Sequence, residues 1–331
     1  MASRVQALTV SIMPSERLTA VKSKLISIES QWALALASAL FSSNVWFGRM
    51  LSFSLLACNP RAWILSLLGY VIANVSARVL SKNSFLTQQY PISLNGAYVG
   101  LAISAFVAEW LQALSLLALA ALTVPTASIV SARILRPWGL KALVMPYVLI
   151  IWICQLIANG SSRVVLAANA IGDAPLSMPV WILGFFRSAS LVFFQDSVVF
   201  GGLVWLGVFA LVRKSGHVAV ASVLVPQLMA AFLWPSHWGT AAGMFGFCGL
   251  ILFMANENKL FVAEDRRVLI LVVALSGLME GAALRLFSIT PMYALSAPAV
   301  LMIWIIEMAS ETRKATPISE TKKTASGSKW I

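Results

Sequence analysis

The chain has 331 residues, 60% of them hydrophobic and 11% charged, with a mean hydropathy of +0.86. No soluble domain of this size carries so much apolar residue with so little charge, which excludes a globular enzyme on a single anchor and points to many membrane spans on short connections. The 24 Lys and Arg against 12 Asp and Glu gather at the two ends and in short loops, the pattern of cytoplasmic loop charge and anionic-lipid contact, not of nucleic-acid binding.

Residues 1–30 form a cytoplasmic segment without the continuous apolar run of a cleaved signal. Leu18, Val21, Leu25 and Ile28 fall at three- and four-residue spacing, which predicts a short amphipathic helix on the membrane surface. A first membrane repeat follows over 31–158, with apolar blocks near 31–58, 62–80, 91–108, 112–134 and 142–158. A linker, 159–180, leads to a second repeat over 181–308, with blocks near 181–213, 217–234, 239–255, 268–287 and 291–308. The tail, 309–331, is polar and rich in Lys, Thr and Ser, a composition expected to be disordered. Arg4, Arg17, Lys22 and Lys24 precede the first block, and Arg313, Lys314, Lys322, Lys323 and Lys329 follow the last. Both termini are therefore expected in the cytoplasm of a cell with an inner or plasma membrane location, and the number of full spans is even.

The duplication is visible in the residues. Leu143 to Trp152 recurs as Leu295 to Trp304, offset by 152, with six of ten positions identical, Pro and Trp among them. Phe41 matches Phe194, Gly48 matches Gly201 and Gly96 matches Gly249, each 153 apart. Five blocks per copy is an odd number, so tandem copies insert upside down relative to each other, an arrangement that places a solute site near the midplane where the halves meet. The expected fold is an all-α integral membrane protein of ten transmembrane helices plus two re-entrant or half helices, in two inverted-topology five-helix repeats.

The first block of each copy is too long for one helix and is interrupted by polar residues, Ser42-Ser43-Asn44 and Gln195-Asp196-Ser197. A break at matching depth predicts a half helix beside a cavity, with Asp196 as a candidate cap of the following half helix. Gly96 and Gly100, Gly239 and Gly243, and Gly277 and Gly281 share helix faces and predict close helix packing. Glu280 and Arg285, five apart near a span end, are candidate partners, and Glu109, Glu307 and Arg187 are expected to reach toward the interfaces. Cys58, Cys154 and Cys248 are isolated and odd in number, and His217 and His237 have no Cys, Asp or Glu at ligand spacing, so neither disulfides nor a metal nor another cofactor is expected. No HExxH, nucleophile elbow or paired intramembrane carboxylates occur, which argues against an enzyme.

Several segments resemble the urea transporter family. Asn95-Gly96-Ala97-Tyr98-Val99-Gly100-Leu101-Ala102 is similar to that family's NGALVGLA segment, Phe193-Phe194-Gln195-Asp196 to its FFQ-N/D element, and Leu143–Trp152 with its twin Leu295–Trp304 to its LPxLTxPFxLxxW signature. The resemblance covers roughly residues 31–308. It implies passive, channel-like transport of urea or a related small neutral amide by a homotrimer, through a lane in every subunit flanked by stacked rings and lined with oxygen acceptors.

Carried over by position, the resemblance implies lane residues Ser38, Phe41, Leu94 and Val144 from the first copy and Leu191, Phe194, Phe247 and Ser296 from the second. The acceptor-bearing positions are thinned. Ser38 and Leu191 stand where the family has Gln or Glu, Val144 stands at one signature Thr, Ser296 at the other, and Cys248 replaces the second Asn. Ser38 and Ser296 either face the lane or hydrogen-bond their own helix backbone. Because stripping water from a polar solute costs several kcal/mol unless acceptors replace it, backbone carbonyls would have to serve. An energised secondary transporter of the same plan, and a non-conducting structural protein, are the alternatives.

Overall fold

The computed structural model describes residues 28–80, 92–157, 180–233, 238–260, 266–287 and 296–315. The surface helix expected around Leu18, Val21 and Leu25, nearly all of the linker, His237 and the tail beyond residue 315 lie outside the described residues. Within them the chain is helical with short turns and no strand. In lipid every backbone polar group must be satisfied within the chain, and the helix does this inside one segment.

In chain order, α1 covers 28–37 and tightens into a 3-10 turn, Ser38–Leu40; α2 is Val45–Cys58, α3 Pro60–Leu80, α4 Ile92–Phe106, α5 Trp110–Leu135 and α6 Met145–Ile157. The second set is α7 Val180–Leu191, α8 Val198–Leu211, α9 Gly216–Leu233, α10 Trp238–Glu257, α11 Arg266–Phe287 and α12 Ala297–Ala315. The two sets correspond one to one. Four helices of the described residues are long and apolar enough to cross a membrane: Pro60–Leu80, Trp110–Trp138, Gly216–Leu233 and Arg267–Leu286. They fall into the repeat-related pairs α3/α9 and α5/α11. Their outer faces carry exposed Leu119, Leu122 and Phe232, the apolar surface a lipid-facing helix presents.

Packing repeats as well. α3 lies on α4 and α5 in the first half, as α9 lies on α10 and α11 in the second. Between halves, α2 packs on its counterpart α8, and α6 on its counterpart α12. The Tyr147 hydroxyl meets Ser296 at the start of α12, while Trp304, further along α12, donates from Nε1 to the Lys141 carbonyl at 2.8 Å. The segment 141–147 therefore runs antiparallel to 296–304.

Close approach depends on glycine. A Cβ on Gly100 would lie 2.0 Å from the Leu65 carbonyl, and one on Gly96 would lie 2.5 Å from the Ala73 Cβ, so both face α3 as the small-residue spacing predicts. Gly249 meets Ser222 and Pro226 of α9, the positions matching Gly69 and Ala73.

The expected breaks are present in both halves. Phe41 and Phe194 adopt left-handed backbone at φ 55 and 56, a conformation that costs a non-glycine residue about 1–2 kcal/mol. Phe41 N–H donates to the Ser38 carbonyl and Ser42 N–H to that of Ala37; Phe194 N–H donates to Leu191 and Gln195 N–H to Ser190. The identical pattern closes the orphan carbonyls of each half helix. The next helix is then capped, by Asn44 Oδ1 accepting from Trp46 and Phe47 N–H in α2, and by Ser197 Oγ accepting from Phe200 N–H in α8.

Ser197, not Asp196, is therefore the cap of α8. Asp196 is drawn instead to Arg187 on α7, 2.9 Å away. The ion pair takes Asp196 because a carboxylate at low exposure needs a charge partner more than a helix terminus does. Glu280, considered as a partner of Arg285, is fully buried and receives the Cys248 thiol at 3.2 Å.

Candidate solute lane

Both halves meet around a cavity of about 60 Å³ whose walls come from repeat-related residues. Phe41 faces it with Phe194, Ala39 with Val192, Val144 with Ser296, Tyr98 with Ile251, and Tyr147 with Ala299. At about 10–15 Å³ of such space per water, the cavity has room for a few waters. Beside it lies a wide vestibule of about 1410 Å³ that shares Phe41, Leu143 and Val144 with the cavity. The vestibule lining includes Arg78, Arg136 and Lys141, with the polar residues Gln31, Asn74, Ser93 and Asn258 and, among the described residues, no Asp or Glu.

Six of the eight expected lane residues line the cavity: Phe41, Val144, Leu191, Phe194, Phe247 and Ser296. Ser38 and Leu94 line the vestibule, which Phe41 and Val144 also reach. The two serines behave differently. Ser38 donates to the Ala35 carbonyl of its own helix at 2.7 Å, so its hydroxyl hydrogen is spent locally. Ser296 bonds across to the Tyr147 hydroxyl of the other half.

The break places the phenylalanines. At the left-handed turn the helix axis ends, and the side chains of Phe41 and Phe194 project beyond it into the space between the halves. Phe194 stands edge-on to Tyr98 and Tyr147, with ring centroids 5.9 and 6.1 Å away, and to Phe106 at 5.9 Å. Such T-shaped arrangements are the favoured ones for aromatic rings.

Tyr98 and Tyr147 were not among the expected lane residues, yet they line the cavity and, with Ser296, bring hydroxyls to it. Their rings lie 4.9 Å apart, and Tyr98 donates to the Val192 carbonyl at 2.8 Å. The signal that could have found them is the polar tip of a tyrosine within an otherwise apolar span, which must meet a partner when buried. Their counterparts Ile251 and Ala299 carry no hydroxyl, and on the second half's side Ser296 provides one.

Asn95 holds this arrangement. It accepts from the Tyr147 backbone N–H at 3.0 Å and donates to the Leu143 carbonyl at 3.1 Å, pinning the start of α6 to α4. In the second half Cys248 stands at the same position, and its thiol donates to Glu280 instead. We expect Asn95→Ala to destabilise the protein by about 2 kcal/mol, because two buried backbone groups lose their partner at about 1–3 kcal/mol for an unsatisfied group. A drop in the thermal melting temperature in detergent checks this; an unchanged melting temperature would contradict it.

The sequence profile of the urea transporter family matches residues 33–311, spanning both halves, both breaks and every lane residue named above. The chain belongs to the urea transporter family. No curated protein matches it. The family's members are transporters rather than enzymes and move urea across membranes, and the apolar helices of this chain agree with a multi-pass membrane protein. In this urea transporter family member the hydroxyl-bearing residues that line the cavity, among those described, are Tyr98, Tyr147 and Ser296.

Proposed function

We propose that this urea transporter family member is a passive, channel-like pathway for urea or a related small neutral amide, which crosses between two inverted five-span halves. The observation that carries the reading is the cavity bounded by repeat-related pairs, with Phe41 and Phe194 on matching left-handed breaks. The antiparallel course of 141–147 and 296–304, and the packing of α2 on α8, support halves of opposite direction. The reading counts ten crossings, with α1 and α7 as half helices that end at the lane. In it the solute lane comprises Ser38, Phe41, Leu94, Val144, Leu191, Phe194, Phe247 and Ser296, with Tyr98 and Tyr147 added. In this reading the vestibule mouth faces the cytoplasm of an inner or plasma membrane, which the basic residues Arg78, Arg136 and Lys141 support; both termini are on the same side, and the assembly is a homotrimer, as the family resemblance implies.

Stopped-flow light scattering on proteoliposomes with urea, methylurea, ammonia and water gradients tests the reading. Fast, saturating entry of at least one small amide is the expected result. If no solute enters faster than through bare lipid, the pathway reading fails and a non-conducting role takes its place.

A second reading has one observation in its favour. The Arg187–Asp196 ion pair sits at the break of the second half only, since Leu34 and Ser43 occupy the matching positions, and an intramembrane ionisable pair is a feature of energised transporters. We expect the urea rate to stay the same, within about twofold, when a sodium or proton gradient is imposed, because nothing in a passive lane couples the two fluxes. A rate that follows the gradient, and loses that response in Asp196→Asn, would establish the energised transporter instead.

A further inference from the structure

We infer that Tyr147 is the specificity-determining residue of this lane, a latch across it that Ser296 holds closed. The inference rests on the passive-lane reading above. The vestibule of about 1410 Å³ adjoins a cavity of about 60 Å³ at Phe41, Leu143 and Val144, and the phenol of Tyr147 lines that cavity just beyond the junction. It starts from the first half, at the head of α6, and its hydroxyl ends on Ser296 of the second half. The contact is a hydrogen bond between side chains of the two halves that both line the cavity. Both residues are almost completely buried.

The geometry explains why the pair opposes passage. In an apolar space a lone hydroxyl is costly, and two hydroxyls bonded to each other remove that cost. The closed arrangement is thus self-satisfied and holds without solute. Tyr98 backs the ring at 4.9 Å and is itself tied to the Val192 carbonyl, so the Tyr147 ring cannot retreat toward α4. It can move only by leaving Ser296. The counterpart position is Ala299, so no matching ring stands on the other side, and the size of the opening is set by Tyr147 alone of that pair. Asn95 grips the Tyr147 backbone N–H and not its ring, so this backbone anchor stays in place when the side chain is changed.

The assignment is tested with the full-length protein in proteoliposomes, using urea and N,N′-dimethylurea as probes. Tyr147→Phe and Ser296→Ala are each expected to raise the urea rate about fivefold, the effect of losing one net hydroxyl bond from the closed state. The double variant is expected to go no higher than either single one, since both remove the same bond. Tyr147→Ala is expected to admit N,N′-dimethylurea at a rate within about threefold of urea, where the parent protein discriminates by more than about tenfold. Elution as a single symmetrical species from size exclusion verifies that each variant is folded. If Tyr147→Phe and Ser296→Ala leave the urea rate unchanged or lower it, the hydroxyl pair is not a latch. If Tyr147→Ala still rejects N,N′-dimethylurea, the ring does not set the size limit. Either result, in a parent protein that moves urea, overturns this assignment and leaves the lane reading standing; a parent and variants that all move nothing overturn the lane reading itself.

Discussion

Replacing Val144 by tryptophan is expected to cut urea flux in proteoliposomes by at least about tenfold while leaving the protein folded. Val144 is half-buried at the head of α6 and lines both the cavity and the vestibule. An indole there has the open vestibule into which to unfold its bulk, so the surrounding helices need not move. The cavity, at about 60 Å³, has no such reserve, and each 1.4 kcal/mol of added barrier lowers the rate about tenfold. Val144→Ala, which removes bulk at the same point, is expected to keep or raise the rate. The measurement is the stopped-flow rate beside the melting temperature. A folded Val144→Trp protein that passes urea as fast as the parent would place the solute path elsewhere in the molecule.

Gly48→Leu and Gly201→Leu are each expected to abolish recovery of folded protein. A Cβ at Gly48 would stand 1.9 Å from the Ala33 carbonyl oxygen, and one at Gly201 would stand 2.0 Å from that of Phe186. In both cases the obstacle is helix backbone, which cannot rotate away as a side chain can. Extra methylenes in a packed core cost about 1–3 kcal/mol where neighbours yield; here α2 must separate from α1, or α8 from α7, and the left-handed turn between them loses its support. The two residues occupy the same place in the two copies, so the lesions should be alike in severity. Gly202→Ala is the control. Its Cβ would meet only the Phe186 ring, at 3.9 Å, and alanine stabilises a helix interior relative to glycine by up to about 1 kcal/mol. Size exclusion in detergent and the melting temperature report all three. Normal folding of Gly48→Leu or Gly201→Leu would show that the half helices are not packed as closely as described.

Much of the fold is legible locally because lipid makes hydropathy a near-direct record of helix position. The expected blocks 62–80 and 112–134 are the helices Pro60–Leu80 and Trp110–Leu135, and 268–287 is Arg266–Phe287. The interrupted blocks were legible for the same reason. Ser42-Ser43-Asn44 and Gln195-Asp196-Ser197 could not continue an apolar helix, and the chain turns there at φ 55 and 56. The family signature was legible in Leu143–Trp152 and its twin because a duplicated Pro and Trp at fixed spacing is improbable without common descent of the two copies. The glycine faces followed from a four-residue period, which places Gly96 and Gly100 on one side of α4 whatever lies opposite.

Partner choice was not legible. Asp196 and Ser197 are both good caps by type, and the choice between them depends on Arg187, nine residues earlier, being brought to the same point by the turn. Ser38 and Ser296 are the same residue type at the ends of apolar helices, yet one bonds its own Ala35 carbonyl and the other reaches the opposite half. Tyr98 and Tyr147, on separate helices, became a pair only once Asn95 joined α4 to the head of α6. Residue type, hydropathy and repeat spacing are properties of single segments, and they were enough for the helices, the breaks and the family. The identity of the groups that meet in the space between the halves is a property of contacts 94 to 149 residues apart along the chain, and those form only when the two copies close on each other.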